Sequence, residues 1–480
     1  METVLAYAIG VMVIVVGLAI SIGLHEIGHL VPAKLFGVRV LKYMIGFGPR
    51  LWSRQKGETE YGVRAIPLGG YISMIGMFPP QGAGAEAEAT AEAEATADES
   101  SLPPGREPAP ELESRRSRAV SSSSSRGWGL TFFRNMVQDA RDSSEETVGA
   151  GDESRTFYRL TPWKRIIIML GGPIMNLLLA IVFFAILLMG FGQPQATTTL
   201  GSVSRCVLTA ADGQRECQPG DPKAPAAQAG LQPGDRIVSL NGTRITAWEQ
   251  VTQIIRAHSG LPLSVTVLRG GLEHTLSVIP ATTTLPVLDN NGTPQRDASG
   301  APVTTEAGYI GVGPTSARVP QSFPTVLSTV GDSIGRTLAF LPTLPAKLID
   351  VAKATFGVEK RDPNGPVSVV GVGRLAGEIA SLPQITIADK VSSFIGLLAS
   401  LNVMLFVLNL LPLLPLDGGH VAGALWESLR RAAAKLRGRP TPLPVDIARL
   451  MPVTFVVVVF FIAMSALLII ADFVKPITLQ

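Results

Sequence analysis

Residues 4–30 read VLAYAIGVMVIVVGLAISIGLHEIGHL, an apolar run that ends in two histidines and a glutamate. The part from Val4 to Leu24 carries no charge and is long enough to cross a bilayer as a helix. Ionisable side chains at membrane depth are costly, and by default they mark a functional site. The stretch therefore predicts a membrane helix that carries a site at its end.

Three further apolar runs have spanning length, namely Ile166–Phe191, Phe394–Leu416 and Val453–Ala471. The composition agrees, because 46% of the residues are hydrophobic and only 16% are charged. We therefore predict a polytopic α-helical membrane protein with four transmembrane helices. The net charge of +3 is too small to indicate a nucleic-acid partner, and we expect none.

Basic residues predict how the helices are oriented. The first run has a signal peptide as its alternative, but no basic region precedes it, so a membrane anchor is favoured. Lysines and arginines cluster after the first run and after the third, whereas both ends of the chain are almost free of them. The positive-inside rule then places 30–165 and 420–450 in the cytoplasm and both termini outside it.

The segments between the apolar runs differ in character. Residues 37–78 read as short strands separated by Gly-rich turns, which is the pattern of a hairpin. Residues 79–155 hold an acidic Ala/Glu repeat and a basic serine tract, and such a composition predicts disorder without chemistry.

The outer segment contains a second recognisable pattern. The phrase APAAQAGLQPGDRIVSLNGTRI at 224–245 resembles the PDZ domain in its bacterial, circularly permuted form. The resemblance implies either a site for a peptide terminus added at a sheet edge or a size filter over the active site. Cys206 and Cys217 lie in the same segment, where a disulfide and two free thiols are both open.

The HEIGH motif has the spacing of a metal site. His25 and His29 lie four residues apart, so a helix presents them on one face, where they can hold one ion. Glu26 would then act as general base towards a bound water. Imidazoles suit Zn²⁺, and a catalytic zinc keeps three protein ligands and one open position. The alternative interpretation is a pair of polar residues that cap a helix end.

A third ligand is expected from Asp417, in NLLPLLPLDGGH at 409–420. Prolines before this aspartate break the helix, and the two glycines after it allow close backbone approach. Irregular backbone at membrane depth persists where it lines a site. A turn aspartate is the alternative for Asp417, and His420 is a competing ligand.

These motifs resemble the site-2 proteases, a family of intramembrane zinc metalloproteases. The resemblance rests on HEIGH and LDGGH, with support from GFGP, PLGGYISM, GGPIMN and NGPVSVVG. It implies that His25, His29 and Asp417 bind Zn²⁺ and that Glu26 is the catalytic base.

The resemblance also implies how the substrate is held. A membrane-re-entrant β-hairpin would follow the first helix, with Gly46 and Gly48 at its loop. Asn409 would contact the substrate backbone. Asn176 would do the same or would stabilise helix packing.

Together these features predict an intramembrane zinc metalloprotease in a bacterial plasma membrane, with its active site toward the cytoplasm. It would cut the transmembrane segment of single-span substrates. Similarity to the regulatory branch of the family, with one PDZ domain, implies anti-sigma factors already trimmed by a first protease. The alternatives are a PDZ-bearing scaffold or receptor with a structural zinc site and an ion transporter. The intact HExxH motif disfavours the former, and the lack of an internal repeat disfavours the latter.

The predicted division of the chain is as follows: first transmembrane helix with HEIGH (1–36), re-entrant hairpin region (37–78), disordered cytoplasmic insertion (79–155), second transmembrane helix (160–193), PDZ-like domain (198–284), extracytoplasmic strands and amphipathic helices (285–390), third transmembrane helix with LDG (391–418), cytoplasmic amphipathic segment (419–450) and fourth transmembrane helix (451–473).

Overall fold

The structure is a computed structural model of the 480-residue chain. It describes residues 2–78, 137–139, 141–144, 146–149, 151–207, 217–218, 221–286, 295, 297, 303–440 and 450–477. Most of the insertion predicted to be disordered therefore lies outside the described residues. The chain forms two compact units, of which the first combines Met1–Leu187 with Phe323–Gln480 and the second is Leu188–Ser322.

The first unit starts with α1 (Glu2–Leu35), β1 (Val40–Lys56), β2 (Thr59–Met74) and α2 (Pro162–Ala185), which continues as a π-helical segment, Ile186–Phe191. The second unit contains β3 (Gln193–Val203), α3 (Pro225–Gln228), β4 (Arg236–Leu240), β5 (Thr243–Arg244), α4 (Trp248–Ala257), β6 (Leu263–Arg269), β7 (Leu272–Val278), β8 (Ala281–Pro286), β9 (Thr304–Tyr309) and β10 (Val312–Val319). The first unit resumes with α5 (Phe323–Phe340), α6 (Leu344–Phe356), α7 (Val369–Ser381), α8 (Ile387–Asn409), α9 (Asp417–Leu436) and α10 (Met451–Val474).

Within the described residues, four helices are long and apolar enough to cross a membrane: Thr3–Leu35, Pro162–Phe191, Ile387–Asn409 and Met451–Val474. The prediction of four spanning helices is confirmed. The third helix ends at Asn409, well before residue 418, where the sequence prediction ended it. Pro412 and Pro415 interrupt the backbone hydrogen bonding, so Asp417 begins a separate helix, α9.

Helices α1 and α2 cross at a pair of glycines. A Cβ atom on Gly28 would lie 2.6 Å from the carbonyl carbon of Gly171, a separation that real Cβ atoms essentially never show. Small residues allow such close approach between membrane helices. The crossing brings the end of α1, with its two histidines, against the middle of α2.

The hairpin of β1 and β2 packs on the same end of α1. Tyr43 in β1 pairs with Ile72 on one side and with Tyr61 on the other, so the two strands fold into a small sheet of four segments. The Tyr43 hydroxyl donates a hydrogen bond to the carbonyl oxygen of Gly23 in α1 at 2.7 Å. A buried apolar cluster joins the hairpin to both helices: Leu30, Ala33, Val38, Val40, Tyr43, Met74, Phe157, Ile168 and Met169.

The hairpin turn differs from the prediction. The two strands are joined at residues 57–58, whereas Gly46 and Gly48 lie within β1, where the strand bends. Both have positive φ, +89° and +83°, a conformation that glycine adopts without the steric cost of a side chain. A Cβ on Gly46 would also lie 2.6 Å from the Ile66 carbonyl oxygen.

The second unit is an α+β fold. Its main sheet has the order β10-β3-β4-β6-β7 with β5 paired to β4, and β8 and β9 form a separate pair. Val251 and Ile255 of α4 pack on buried residues of the main sheet. Cys206 and Cys217 are joined by a disulfide, which decides between the two alternatives that the sequence left open.

Helices α5 and α6 lie within 285–390, the part of the chain for which the sequence predicts strands and amphipathic helices. In the first unit, α5 packs against α8 and α2, while α6 packs against α10. Their apolar faces are therefore buried, at least in part, on membrane helices of the same unit.

Candidate metal centre

Three side chains converge where α1, α2 and α9 meet. The Nε2 atoms of His25 and His29 lie 3.2 Å apart. Each of these nitrogens lies 3.3 Å from Oδ2 of Asp417. Among the residues that the structure describes, this is the group that could hold a metal ion. Residues far apart in the sequence are thus brought together as predicted.

Both imidazoles are held through their other nitrogen. Nδ1 of His29 donates to the carbonyl oxygen of Ile168 in α2 at 2.7 Å. Nδ1 of His25 lies 3.0 Å from the amide nitrogen Nδ2 of Asn176, also in α2, while the buried Oδ1 of the same amide has no hydrogen-bond partner in the described part of the chain. A half-turn of the amide exchanges these two atoms, so that Nδ1–H of His25 donates to Oδ1 and both groups are satisfied. Each Nε2 then presents a lone pair to the space shared with Asp417.

The donor set fits zinc. Zn–N and Zn–O bonds of about 2.0–2.1 Å in a tetrahedron place neighbouring donor atoms about 3.3 Å apart. The three observed separations, 3.2, 3.3 and 3.3 Å, match this value. Oδ2 of Asp417 is buried and has no hydrogen-bond partner among the described residues, so a cation would satisfy it. Three ligands leave a fourth tetrahedral position for water or substrate.

Glu26 is buried beside this group and lies against the hairpin. A Cβ on Gly70 of β2 would lie 2.9 Å from Cγ of Glu26 and 3.2 Å from its Oε1. The glycine thus lets the strand backbone pass directly over the carboxylate. Glu26 is not among the three side chains that could share an ion, and its role as a base stays a prediction.

Gly172 makes room for the two imidazoles in α2. A Cβ at this position would lie 2.6 Å from Cε1 of His25 and 2.7 Å from its Nε2, and it would also meet Nε2 of His29. No role for Gly172 was predicted from the sequence. The signal was present in GGPIMN, because two adjacent glycines in the middle of an apolar span indicate a close approach.

The remaining predicted residues lie as follows. His420 is not part of the ion-binding group; its ring packs edge-on against Phe157, with 6.5 Å between centroids. Asn176 is fully buried beside His25, a contact that was not predicted from the sequence. Asn409 is the last residue of α8 and is partly buried. The roles of Asn176 and Asn409 in substrate binding stay predictions.

An HExxH helix that shares an ion site with an aspartate, set among four helices of spanning length, defines a membrane-embedded metal-dependent hydrolase. The sequence profile of Peptidase family M50 matches residues 13–453, so the chain belongs to this family, the site-2 proteases. The predicted family is confirmed.

Curated relatives match the sequence of this chain over most of its length. Zinc metalloprotease Rip1 of Mycobacterium tuberculosis is 29% identical over 481 residues, which cover 98% of this chain and 99% of the relative. Rip1 of Mycolicibacterium smegmatis is 28% identical over 492 residues, covering 98% and 99%. Zinc metalloprotease RasP of Geobacillus kaustophilus is 25% identical over 420 residues, covering 85% and 86%. The protein is a zinc metalloprotease, which confirms the predicted enzyme class and cofactor and disfavours the scaffold and transporter alternatives.

Proposed function

We propose that this protease hydrolyses a peptide bond within the transmembrane segment of single-span proteins, at a zinc site formed by His25, His29 and Asp417. One observation carries the proposal. Three donor atoms from two separate helices converge at distances of 3.2–3.3 Å, at the end of a helix of spanning length. No other described group of this kind offers a metal site.

Glu26 is the proposed general base and acid. A zinc ion at this position supplies Lewis acidity to the scissile carbonyl and to a water molecule. The Glu26 carboxylate takes one proton from the attacking water, whose oxygen bonds to the carbonyl carbon. The same carboxyl then passes this proton to the amide nitrogen as the C–N bond breaks, which leaves a free amine and a carboxylic acid, and the acid then gives up its remaining proton to the amine or to water. His25 and His29 keep their orientation through Asn176 and Ile168.

The hairpin is proposed to enter the membrane and to bind the substrate as an added strand. A substrate helix must unwind before its peptide bond is exposed, and each freed backbone group costs several kcal/mol in lipid unless it is paired. A strand edge supplies such partners. The exposure of Phe47, Leu51 and Trp52 on the hairpin supports contact with an apolar environment. We assign substrate contacts to the bend at Gly46 and Gly48 and to Asn409.

The second unit is proposed to be PDZ-like and to select substrates. Its α+β architecture supports this, and the phrase at 224–245 covers α3 and β4. The substrates proposed are anti-sigma factors already shortened outside the cytoplasm, so that cleavage releases a cytoplasmic fragment. In this arrangement both termini lie outside the cytoplasm, as the distribution of basic residues favours.

Metal removal tests the proposed reaction. The purified full-length protein in lipid nanodiscs should cut a single-span test substrate, and 1,10-phenanthroline should abolish this activity until Zn²⁺ is restored. Mass spectrometry of the products should place the cut inside the transmembrane segment. Cleavage that persists after the metal has been removed, or cuts confined to the soluble parts of the substrate, would contradict the proposal.

Gly70→Ala should impair catalysis while zinc stays bound. The new methyl group meets Cγ of Glu26 at 2.9 Å, so the carboxylate must move. A displacement of about 1 Å can cost about 10²-fold in rate, and we expect kcat to fall about 10–100-fold. Zinc content and kcat are measured on the same preparation. A kcat equal to wild type would show that the strand does not position Glu26.

A further inference from the structure

A buried ion pair joins α2 to α9, outside the group of metal ligands. Nη2 of Arg165 donates to Oε2 of Glu427 at 2.5 Å, and the two side chains are only 5% and 1% exposed. Arg431, one turn further along α9, forms an ion pair with the same carboxylate, with 2.6 Å between its Nη2 and Oε1 of Glu427. None of the chemistry proposed above uses these residues.

Stability alone does not explain such a pair. Removing two charges from water is costly, and apolar side chains of similar volume are often at least as stabilising. What an ion pair adds is a demand on geometry, because the planar guanidinium meets a carboxylate well only over a narrow range of positions. A packed apolar contact at the same place would let the two helices shift more freely.

Each member of the ion pair lies on a helix that contributes to the metal centre. Arg165 lies one turn before Ile168, whose carbonyl oxygen accepts the hydrogen bond from Nδ1 of His29. Glu427 lies on α9, the helix that begins with Asp417. The ion pair thus connects the helix that orients His29 to the helix that supplies Asp417.

No continuous helix joins α8 to α9. Residues 410–416, which contain two prolines, separate the helices and form turns instead of a regular helix. The place of Asp417 therefore depends on what α9 packs against, and its main helical neighbour is α2.

We propose that Arg165 and Glu427 are positioning residues for the zinc centre. Their ion pair fixes α9 on α2 in the one register that holds Oδ2 of Asp417 at 3.3 Å from both imidazole nitrogens. The proposal rests on the proposed ligand set.

A matched pair elsewhere in the same unit provides the control. Nη1 of Arg361 donates to Oδ1 of Asp472 in α10 at 2.6 Å, with side chains 4% and 2% exposed. Asp472 also accepts hydrogen bonds from the backbone nitrogen and hydroxyl of Ser368. This pair is as buried as the first, but it joins elements that carry none of the proposed ligands.

The experiment compares zinc retention with folding in the full-length protein. Zinc release to an excess of chelator, Tm and kcat are measured for wild type, Glu427→Gln, the apolar double variant Arg165→Met/Glu427→Leu and the control Asp472→Asn. We expect Glu427→Gln to release zinc at least tenfold faster than wild type, with kcat lowered and KM unchanged. The double variant should regain the wild-type Tm but still release zinc fast. Asp472→Asn should lower Tm without changing zinc release.

Three results would overturn the proposal: wild-type zinc retention in the double variant, equal acceleration of zinc release in Asp472→Asn, or unchanged release in Glu427→Gln. Should the double variant not fold, Glu427→Asp replaces it. That variant shortens the carboxylate arm by one methylene, and the same acceleration is expected, while wild-type retention counts against the proposal. A wild-type protein without bound zinc would instead refute the proposed metal site itself.

Discussion

Glu26→Gln is expected to leave one zinc bound per chain and to reduce cleavage of a single-span substrate by about 10²–10⁴-fold, the range that general acid–base groups contribute. Glutamine has nearly the same shape as glutamate, so the contact with Gly70 is retained. The amide cannot accept a proton from water, which removes the base and the proton donor together. Glu26 is not one of the three side chains that could share the ion, so metal binding should persist.

This prediction is measured by metal content and by kcat for the same preparation. Glu249→Gln is the matched control. Glu249 is exposed on α4 of the second unit, so this variant should keep the wild-type zinc content and kcat. Zinc loss in Glu26→Gln would make this residue a ligand. Cleavage at the wild-type rate would exclude it as the base.

Gly172→Ala is expected to abolish zinc binding and, with it, all cleavage. The added methyl group would lie 2.6 Å from Cε1 of His25 and would press on the ring of His29 as well. Both rings are held from behind by hydrogen bonds to α2 itself, so they cannot retreat without losing those bonds. If α2 moved away from α1 to make room, the close contact between Gly28 and Gly171 would be lost.

The control for this prediction is Gly190→Ala, near the end of the same span. A Cβ at Gly190 would meet nothing within 4 Å, so this variant should keep its zinc and its activity. Metal content is determined by mass spectrometry after purification. Stoichiometric zinc in Gly172→Ala would show that the imidazoles do not lie where the structure places them.

The sequence was sufficient for the elements that depend on local pattern. Four apolar runs predicted four spanning helices, and the spacing of His25 and His29 predicted one shared face. The third ligand was harder, because nothing local joins Asp417 to the first helix. The two prolines and two glycines around Asp417, together with the paired motifs, supplied the link.

Contacts that form only in three dimensions were beyond the sequence. The partnership of Asn176 with His25 and the pair of Arg165 with Glu427 join residues far apart in the chain, and neither follows from periodicity. The folding of β1 and β2 into four segments depends on a bend at Gly46 and Gly48, which the sequence presented as a turn between strands. Helix boundaries near proline, as at Asn409, were also misplaced.

Zinc K-edge absorption of the purified full-length protein tests the ligand set most directly. The account predicts one zinc per chain with nitrogen and oxygen ligands at about 2.0–2.1 Å and no sulfur. It also predicts that Asp417→Ala removes the carboxylate ligand and most of the metal. Full zinc occupancy with an unchanged spectrum in Asp417→Ala would contradict it.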